Sequence, residues 1–334
     1  MRISVSTAAA VLVLLLGSVL PAGAEESGSP PLFERAELFA SLGDALAEFG
    51  EAVAVSGRTI VVGASRDDDN GDRSGSAYVF VEPPGGWSGI LTEDAKLLPT
   101  DGAASDFFGF AVAVSGSTVV AGATGHDDNG SAYVFREPTG GWAGTLAQSA
   151  NLLPFEAGTF DVFGDSVGVS GPDVVVGAPS RDGATSGEGA AYVFTEPPGG
   201  WAGTLTESAL LLASEPGFLY RLGGSVAISG SRLVAGSRGH HEGTDDTGAV
   251  YLFNRPGGGW SGTLTENAKL LASDAAANDF LGSAVAFDGH TVVAGAPGDD
   301  DNGLNFGSAY VFDFVLFADG FEGGDAGAWS ASVP

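Results

Sequence analysis

The sequence predicts an all-β protein: a five-bladed β-propeller of four-stranded antiparallel blades, closed by its N-terminal strand. Two features predict this fold. A segment that begins with Phe-Gly or Leu-Gly and ends in Gly occurs five times, at residues 49–57, 108–116, 163–171, 222–230 and 281–289. One tyrosine follows each copy at a nearly constant distance, as Tyr78, Tyr133, Tyr192, Tyr251 and Tyr310. Such a period is typical of repeat proteins, in which each unit shares its core with its neighbours.

Each repeat contains four predicted strands. In the first repeat they lie at residues 52–55, 59–62, 76–81 and 95–98, which are rich in Val, Tyr, Phe and Leu and are bounded by turn-forming residues. A tight Ser-Gly turn joins the first two strands, as a hairpin requires. In the inner strands Val alternates with Ala, Gly or Val instead of polar residues. This pattern predicts a sheet covered on both faces, as a propeller blade is by its neighbours.

Closure of the ring is predicted from the two ends of the repeat region. Residues 35–40 (Arg-Ala-Glu-Leu-Phe-Ala) match the fourth-strand segment at residues 268–272 (Ala-Lys-Leu-Leu-Ala), and the last repeat ends after its third strand, at residues 309–312. The N-terminal strand can therefore complete the fifth blade. A closed ring also leaves no strand edge exposed to another chain. An open solenoid is the alternative.

The chain divides into four predicted segments. Residues 1–24 have the features of a signal peptide, because a basic residue, an apolar stretch at residues 8–20 and an Ala-Gly-Ala cleavage site follow one another. The apolar stretch is shorter than the ~20 residues of a membrane span; an uncleaved anchor is the alternative. Residues 25–32 form a short linker and residues 33–314 the repeat domain. Residues 315–334 look like a sorting segment of secreted bacterial proteins, with a disordered end as the alternative.

The charge balance restricts the partners. The chain has 42 acidic and 13 basic residues, for a formal net charge of −29. Nucleic acid is excluded as a partner because its phosphates would be repelled, and an anionic membrane surface is disfavoured for the same reason. There is no cysteine, so packing must hold the fold without disulfides. We expect a monomer, secreted or at the cell surface, that does not insert into the membrane after its signal peptide is removed.

Two of the repeats carry the motif of a known family. Phe163-Gly164 is followed by Gly177-Ala178-Pro179, and Leu281-Gly282 by Gly295-Ala296-Pro297. In these motifs the chain resembles the FG-GAP repeats, which build the N-terminal propeller of integrin α subunits and occur in secreted bacterial proteins. The resemblance covers residues 33–314 and implies a β-propeller with an extracellular binding role.

The chain departs from the family pattern in two respects. Integrin members have seven blades, whereas five repeats are visible here. Their calcium loops, of Asp-x-Asp-x-Asp-Gly type, lie between the first and second strands, where this chain has only short turns such as Ser56-Gly57-Arg58. These turns lack the carboxylates that calcium needs. The usual calcium site of the family is therefore not expected.

Acidic residues concentrate in two other classes of loop. One class lies between the second and third strands and the other before each first strand, and in an up-and-down blade both emerge on the same face. Hard divalent cations bind carboxylate and amide oxygens, so calcium is the one cofactor hypothesised. Its candidate ligands are Asp67, Asp69, Asp72, Asp127, Asn129, Asp299 and Asp301. The candidate ligand-binding face comprises Asp101, Asp106, Asp161, Asp274 and Asp279. The alternative is that these are solvated turn residues.

Four tryptophans recur in the loops after the third strands, at Trp87, Trp142, Trp201 and Trp260. Indole faces suit sugar rings, which would make these residues a carbohydrate-stacking platform. A buried tryptophan more often fixes its own loop to the sheet, and we predict that structural role.

The sequence favours binding over catalysis. The four histidines form no metal-ligand motif and no Gly-x-Ser-x-Gly elbow occurs. We expect an extracellular binding or adhesion module that presents its acidic face to a protein or glycan and is not an enzyme. A secreted glycoside hydrolase with a central acidic pocket and a purely structural envelope protein are the alternatives. A few acids at catalytic separation in the central channel would favour the hydrolase, whereas five equivalent residues would favour binding or structure.

Overall fold

The computed structural model describes residues 34–41, 46–156, 158–241, 246–301 and 306–314. The predicted signal peptide, linker and C-terminal tail lie outside the described residues. Within the described residues the regular elements are β-strands, apart from one short 3-10 turn at His126–Asp128. None of the described helical segments is long and apolar enough to cross a membrane.

The repeats have the same order of strands. Strand β1 (Ala36–Phe39) precedes them. The first repeat contains β2 (Val53–Ser56), β3 (Thr59–Ala64), β4 (Ser76–Val81), β5 (Gly89–Thr92) and β6 (Ala95–Leu97). The second contains β7 (Phe108–Ser115), β8 (Thr118–Ala123), β9 (Ser131–Arg136), β10 (Gly144–Leu146) and β11 (Ala150–Leu152).

The remaining repeats continue the series. The third contains β12 (Ser166–Ser170), β13 (Asp173–Ala178), β14 (Ala190–Thr195), β15 (Gly203–Leu205) and β16 (Ala209–Leu212). The fourth contains β17 (Leu222–Ser229), β18 (Arg232–Ser237), β19 (Ala249–Asn254), β20 (Gly262–Thr265) and β21 (Ala268–Leu270). The described part of the fifth contains β22 (Ala284–Phe287), β23 (Thr291–Ala296) and β24 (Ser308–Asp313).

Each repeat forms an antiparallel sheet, and in the first three repeats the sheet also includes one strand of the next repeat. In the first repeat β2, β3, β4 and β6 pair in that order, with Tyr78 opposite Lys96. Strand β10 of the second repeat then adds to β6 in parallel. The predicted four-stranded antiparallel blade is thus extended by a fifth, parallel strand. Strand β1 pairs in the same way with β5, as expected for a strand equivalent to β6.

The sheets pack face to face, and this packing makes the core. Val61 and Val79 of the first sheet lie in one apolar cluster with Val119 and Phe135 of the second. Every residue of β8 is buried, which confirms the prediction that the inner strands are covered on both faces. Neighbouring sheets come so close that a Cβ on Gly122 would lie 2.0 Å from the carbonyl oxygen of the third repeat's Gly164.

The two end sheets have uncovered faces. Val53 and Val55 of the first repeat are 69% and 70% exposed, whereas their equivalents in the second repeat, Val112 and Val114, are 9% exposed. On the last sheet Val311 is 64% exposed. Among the described residues β1 pairs with β5 and not with β24. The sheets are therefore propeller-like in their packing, but these pairings do not close the row into a ring.

The tryptophan loops lie against the sheets. Trp142, Trp201 and Trp260 are each only 5% exposed and belong to the apolar clusters between successive sheets. Their faces are covered by protein, so they are not available to stack on a sugar. The predicted structural role is confirmed for these three tryptophans, and Trp87 is half-buried against the apolar cluster of the first sheet.

Candidate functional site

The two acidic loop classes meet at the repeated tyrosine. In the fifth repeat the Tyr310 hydroxyl lies 2.9 Å from an oxygen of Asp274, in the loop before the first strand. It also lies 2.7 Å from an oxygen of Asp299, in the loop after the second strand. The predicted placement of both loop classes on one face agrees with this contact. We call the tyrosine and its charged neighbours in each repeat a tyrosine cluster.

In the first tyrosine cluster a lysine neutralises the acids. The Lys96 ammonium lies 3.0 Å from Asp67, which is 1% exposed, and it also contacts Asp69. The Tyr78 hydroxyl donates a hydrogen bond to Asp67. Burial alone would raise the pKa of Asp67, but the hydrogen bonds from Tyr78 and Lys96 and the lysine charge hold that pKa below its ordinary value. A calcium ion here would have to displace Lys96.

Asp72 does not join this cluster. Its side chain is 72% exposed, and its charged neighbour is Arg73, 3.5 Å away. The structure therefore brings together Asp67 and Asp69 of the three calcium candidates in this loop and leaves Asp72 in solvent.

The second cluster is built around a histidine. His126 Nδ1 lies 2.9 Å from Asp106, and its Nε2 lies 4.0 Å from Asp101. The hydrogen bond to Asp106 raises the pKa of His126 above its ordinary value, against the opposing effect of burial. The side chain of Asp127 is 88% exposed. The Oδ1 atom of Asn129 is buried without a hydrogen-bond partner in the described structure.

The third and fourth clusters each contain their own cations. Arg181 lies 2.9 Å from Glu188 in the third repeat, and Lys269 lies 3.0 Å from Glu215 in the fourth. His240 Nδ1 is 3.0 Å from the Tyr251 hydroxyl. Every cluster of the first four repeats therefore has a cationic or protonatable side chain beside its carboxylates.

Three of the candidate ligand-face residues are buried and hold their own loops in shape. Asp106, Asp161 and Asp279 are each 4% exposed. Each accepts a hydrogen bond from the backbone N–H three residues earlier, at 2.6 to 2.8 Å. In these residues the carboxylate acts as a turn-forming group. Three ligand-face candidates contact a tyrosine cluster: Asp101 and Asp106 lie beside His126, and Asp274 lies beside Tyr310.

The fifth cluster is purely acidic. Asp299 accepts hydrogen bonds from Tyr310 and from the Asp301 N–H, and both lower the pKa of Asp299. The neighbouring charge of Asp299, followed by burial and by Asp274, raises the pKa of Asp301. Among the described residues no Lys, Arg or His pairs with these three carboxylates. Their oxygens are the donor type that calcium takes, but no described group of three or more His, Asp or Glu side chains has the geometry of a metal site.

The cationic partners of these clusters were not predicted from the sequence. Lys96 and Lys269 stand at the second position of the fourth strand, directly opposite the repeated tyrosine. Their equivalents in the second and third repeats are Asn151 and Leu210, which are uncharged. Alignment of the repeats against one another, position by position, carries this signal.

A family model described as FG-GAP repeat matches the chain five times, at residues 32–80, 91–135, 146–194, 205–253 and 264–312. No curated protein matches the chain. The structure is similar to that of the computationally designed Ika4 protein, with a TM-score of 0.37 and 17% identity over 66% of this chain and 98% of the other. It is also similar to a putative 6-phosphogluconolactonase from Bacteroides uniformis, with a TM-score of 0.49 and 12% identity over 79% of this chain and 67% of the other.

Proposed function

Because the chain belongs to the FG-GAP repeat family, we propose that it is a secreted extracellular binding or adhesion module, not an enzyme. Its acidic loop face is presented to a protein or glycan partner. The observation that carries this proposal is the fifth tyrosine cluster, where Asp274, Asp299 and Asp301 have no cationic partner among the described residues. Family membership supports the extracellular setting, since FG-GAP repeats are typical of extracellular proteins.

The fifth cluster has no cation among the described residues, and its carboxylates differ in exposure: Asp299 is 4% exposed, whereas Asp274 and Asp301 are open to solvent. Like charges that share a site destabilise one another, as the raised pKa of Asp301 reflects. Calcium is the cation proposed, with Asp274, Asp299 and Asp301 as its protein ligands. When bound, calcium would offset two of the three negative charges and offer free coordination positions to an oxygen of the partner. The Tyr310 hydroxyl contacts both Asp274 and Asp299 and so holds these two carboxylates beside each other.

Ring closure by the N-terminal strand is part of the same proposal. In the first two repeats Ala52 and Ala54 pack against the apolar cluster that contains Val112 and Val114. The equivalent residues at the two ends of the row are Ala284 and Ala286 on the last sheet and Val53 and Val55 on the first, and all four are exposed. The uncovered end faces are thus complementary, and joining them would remove their apolar surface from water.

Closure would also add a carboxylate to the fifth cluster. Tyr78 is paired with Lys96 across β4 and β6, and β1 is the equivalent of β6. If β1 adds to β24 in the same register, Glu37 takes the place opposite Tyr310. The fifth cluster would then hold four carboxylates where the first holds a lysine, which strengthens its preference for a cation.

A cavity that touches the second to fifth repeats supports the proposal against catalysis. One carboxylate, that of Asp165, is among its lining residues, whereas glycoside hydrolysis uses a pair of carboxyl groups.

An array of extracellular matrix proteins and glycans, probed with the labelled chain in calcium or in EDTA, tests the function. We expect retention on a subset of spots in calcium, and its loss in EDTA or on Asp299→Asn substitution. The matched control is Asp72→Asn, which changes an exposed carboxylate outside the clusters. Retention that persists in EDTA and in the Asp299→Asn variant would contradict the calcium-dependent site; no retention on any spot would contradict the binding function.

A further inference from the structure

A cavity of about 420 Å³ touches four consecutive repeats. A cavity of this size is large enough for a small-molecule ligand. Because it touches the second to fifth repeats at once, it lies where their inner strands converge, and we call it the axial cavity. A second cavity of about 310 Å³ adjoins it and shares Arg221, Arg238 and Ser283. Neither cavity contains a residue of the tyrosine clusters. The polar lining of the axial cavity includes Asp165, Ser180, Arg221, Arg238 and Ser283.

Two arginines face this cavity without a carboxylate of their own. Within the described residues, neither Arg221 nor Arg238 makes a side-chain hydrogen bond or an ion pair. Among the described residues Arg35 and Arg232 also have no ion pair, and Arg232 donates to the carbonyl oxygen of Gly289 at 3.2 Å. Six other arginines have a carboxylate oxygen within 4.0 Å, namely Arg58, Arg66, Arg73, Arg136, Arg181 and Arg255. Guanidinium groups left open beside a cavity suit a planar oxyanion, which they bind through paired hydrogen bonds.

One acid lies in the same cavity. Burial raises the pKa of the Asp165 carboxyl to about 6, and the charges of Arg238 and Arg221 keep it from rising further. At neutral pH the group is therefore mainly ionised, and it is a hydrogen-bond acceptor for hydroxyl groups. With Asp165 and both arginines the lining carries one net positive charge. The cavity thus offers an anion site beside a hydroxyl-binding site.

The lining breaks the symmetry of the repeats. The equivalents of Asp165 are Glu51, Phe110, Gly224 and Ser283, and those of Arg238 are Ser65, Thr124, Pro179 and Pro297. The tyrosine, in contrast, is present in all five repeats. Since the sheets fold alike with any of these residues, the fold does not require this divergence.

Arg221 also stands at a strained backbone position. It and its four equivalents, Glu48, Phe107, Val162 and Phe280, all have φ between 55° and 59°. Bulky and β-branched residues rarely adopt that conformation, and strain of this kind clusters at ligand sites. Of these five residues, Val162 and Arg221 line the axial cavity and Phe280 lines the adjoining one.

We propose that the axial cavity binds a carboxylate-bearing sugar of the uronic acid type. Arg221 and Arg238 hold the carboxylate, Asp165 accepts hydrogen bonds from ring hydroxyls, and Phe110, which also lines the cavity, packs against the apolar face of the ring. The inference does not rest on the calcium-dependent function, because it uses other residues and needs no metal.

Calorimetric titration of the full chain in EDTA tests this inference. The probes are galacturonate and digalacturonate, and galactose is the control sugar without a carboxylate. We expect heat with the uronates, little with galactose, and affinity that falls at least about tenfold in Arg221→Gln and in Arg238→Gln. The control Arg58→Gln changes an exposed arginine in a turn of the first repeat and should bind as the unchanged chain does.

The Asp165→Asn variant and titrations with acetate and phosphate decide between ligand classes. Asp165→Asn should weaken digalacturonate binding while leaving any acetate binding unchanged, because acetate has no hydroxyl groups. Phosphate that binds through the same arginines while the uronates do not would overturn the sugar assignment. Uronate binding that survives both arginine substitutions, or uronates that give no heat with the unchanged chain, would overturn the site. Since calcium is absent throughout, failure here is distinguishable from failure of the proposed function.

Discussion

One position in each repeat contributes a charged or protonatable side chain to the tyrosine cluster. Asp67, His126, Arg181, His240 and Asp299 occupy equivalent places after the second strand. The sequence was sufficient to locate the acidic loops that contain them. It was not sufficient to show which acids are already neutralised, because the neutralising Lys96 is 29 positions beyond Asp67 and meets it only through the register of β4 and β6.

Removal of the Lys96 ammonium should destabilise the first repeat. Lys96→Met leaves the buried Asp67 carboxylate without its cation, and a broken buried pair costs about 3 kcal/mol. The free energy of unfolding from urea titration measures this. Arg58→Met removes an exposed ion pair and should cost under about 1 kcal/mol. Equal losses in the two variants would show that Lys96 does not neutralise a buried charge.

His126 should stabilise the fold mainly at acid pH. Its folded-state pKa is raised above the ordinary 6.5 by Asp106, so its contribution is full below that value and is lost as pH rises through the folded-state pKa. The difference in melting temperature between the unchanged chain and His126→Asn should therefore shrink from pH 5.5 to pH 8.5. His290→Asn, at an exposed turn, is the control. A difference that grows with pH would reverse the assigned role of Asp106.

At the scale of strands, local pattern predicted most of the sheet. The expected strands at residues 52–55, 59–62, 76–81 and 95–98 correspond closely to β2, β3, β4 and β6. Strand β5 and its equivalents were not predicted, although β5 has four residues and the predicted β6 has three. Each pairs with a strand of the preceding repeat, or with β1, and has no apolar alternation of its own. Pairing between repeats is a tertiary property that a local pattern does not contain.

In the first four repeats, close approach of neighbouring sheets depends on glycine at the fifth position of the second strand. Gly122→Ala would place a Cβ 2.0 Å from the Gly164 carbonyl oxygen, and relief of such overpacking costs about 3 kcal/mol. Gly140→Ala, with no atom within 4 Å of the added Cβ, should leave stability nearly unchanged. Urea unfolding of both variants measures the contrast. A Gly122→Ala chain as stable as the control would mean that the sheets are not in backbone contact.

At the scale of the whole molecule, the repeat predicted the family and the face-to-face packing of the sheets, and both are confirmed. Closure of the ring stays a prediction. It depends on contacts between Val53 and Ala284, residues at opposite ends of the repeat domain, and no local pattern decides whether such ends meet. The axial cavity was not predicted from the sequence either, because its lining residues come from four different repeats.

The absence of cysteine allows the closure of the ring to be tested directly. Between the first two repeats the Gly116 N–H donates to Ser56 Oγ at 3.2 Å. Cysteines at Ser56 and Ser117 are therefore a positive control for cross-linking by a short bis-maleimide. The equivalent pair at the two ends of the row is Asp288→Cys with Arg58→Cys. Mass spectrometry of the monomer identifies an intrachain cross-link.

We predict that the end pair, Asp288→Cys with Arg58→Cys, cross-links within one chain as efficiently as the control pair. If the control pair reacts while the end pair remains open, or links only between chains, the five repeats form a row with free ends. That result would contradict the closed ring and the place assigned to Glu37 in the fifth tyrosine cluster.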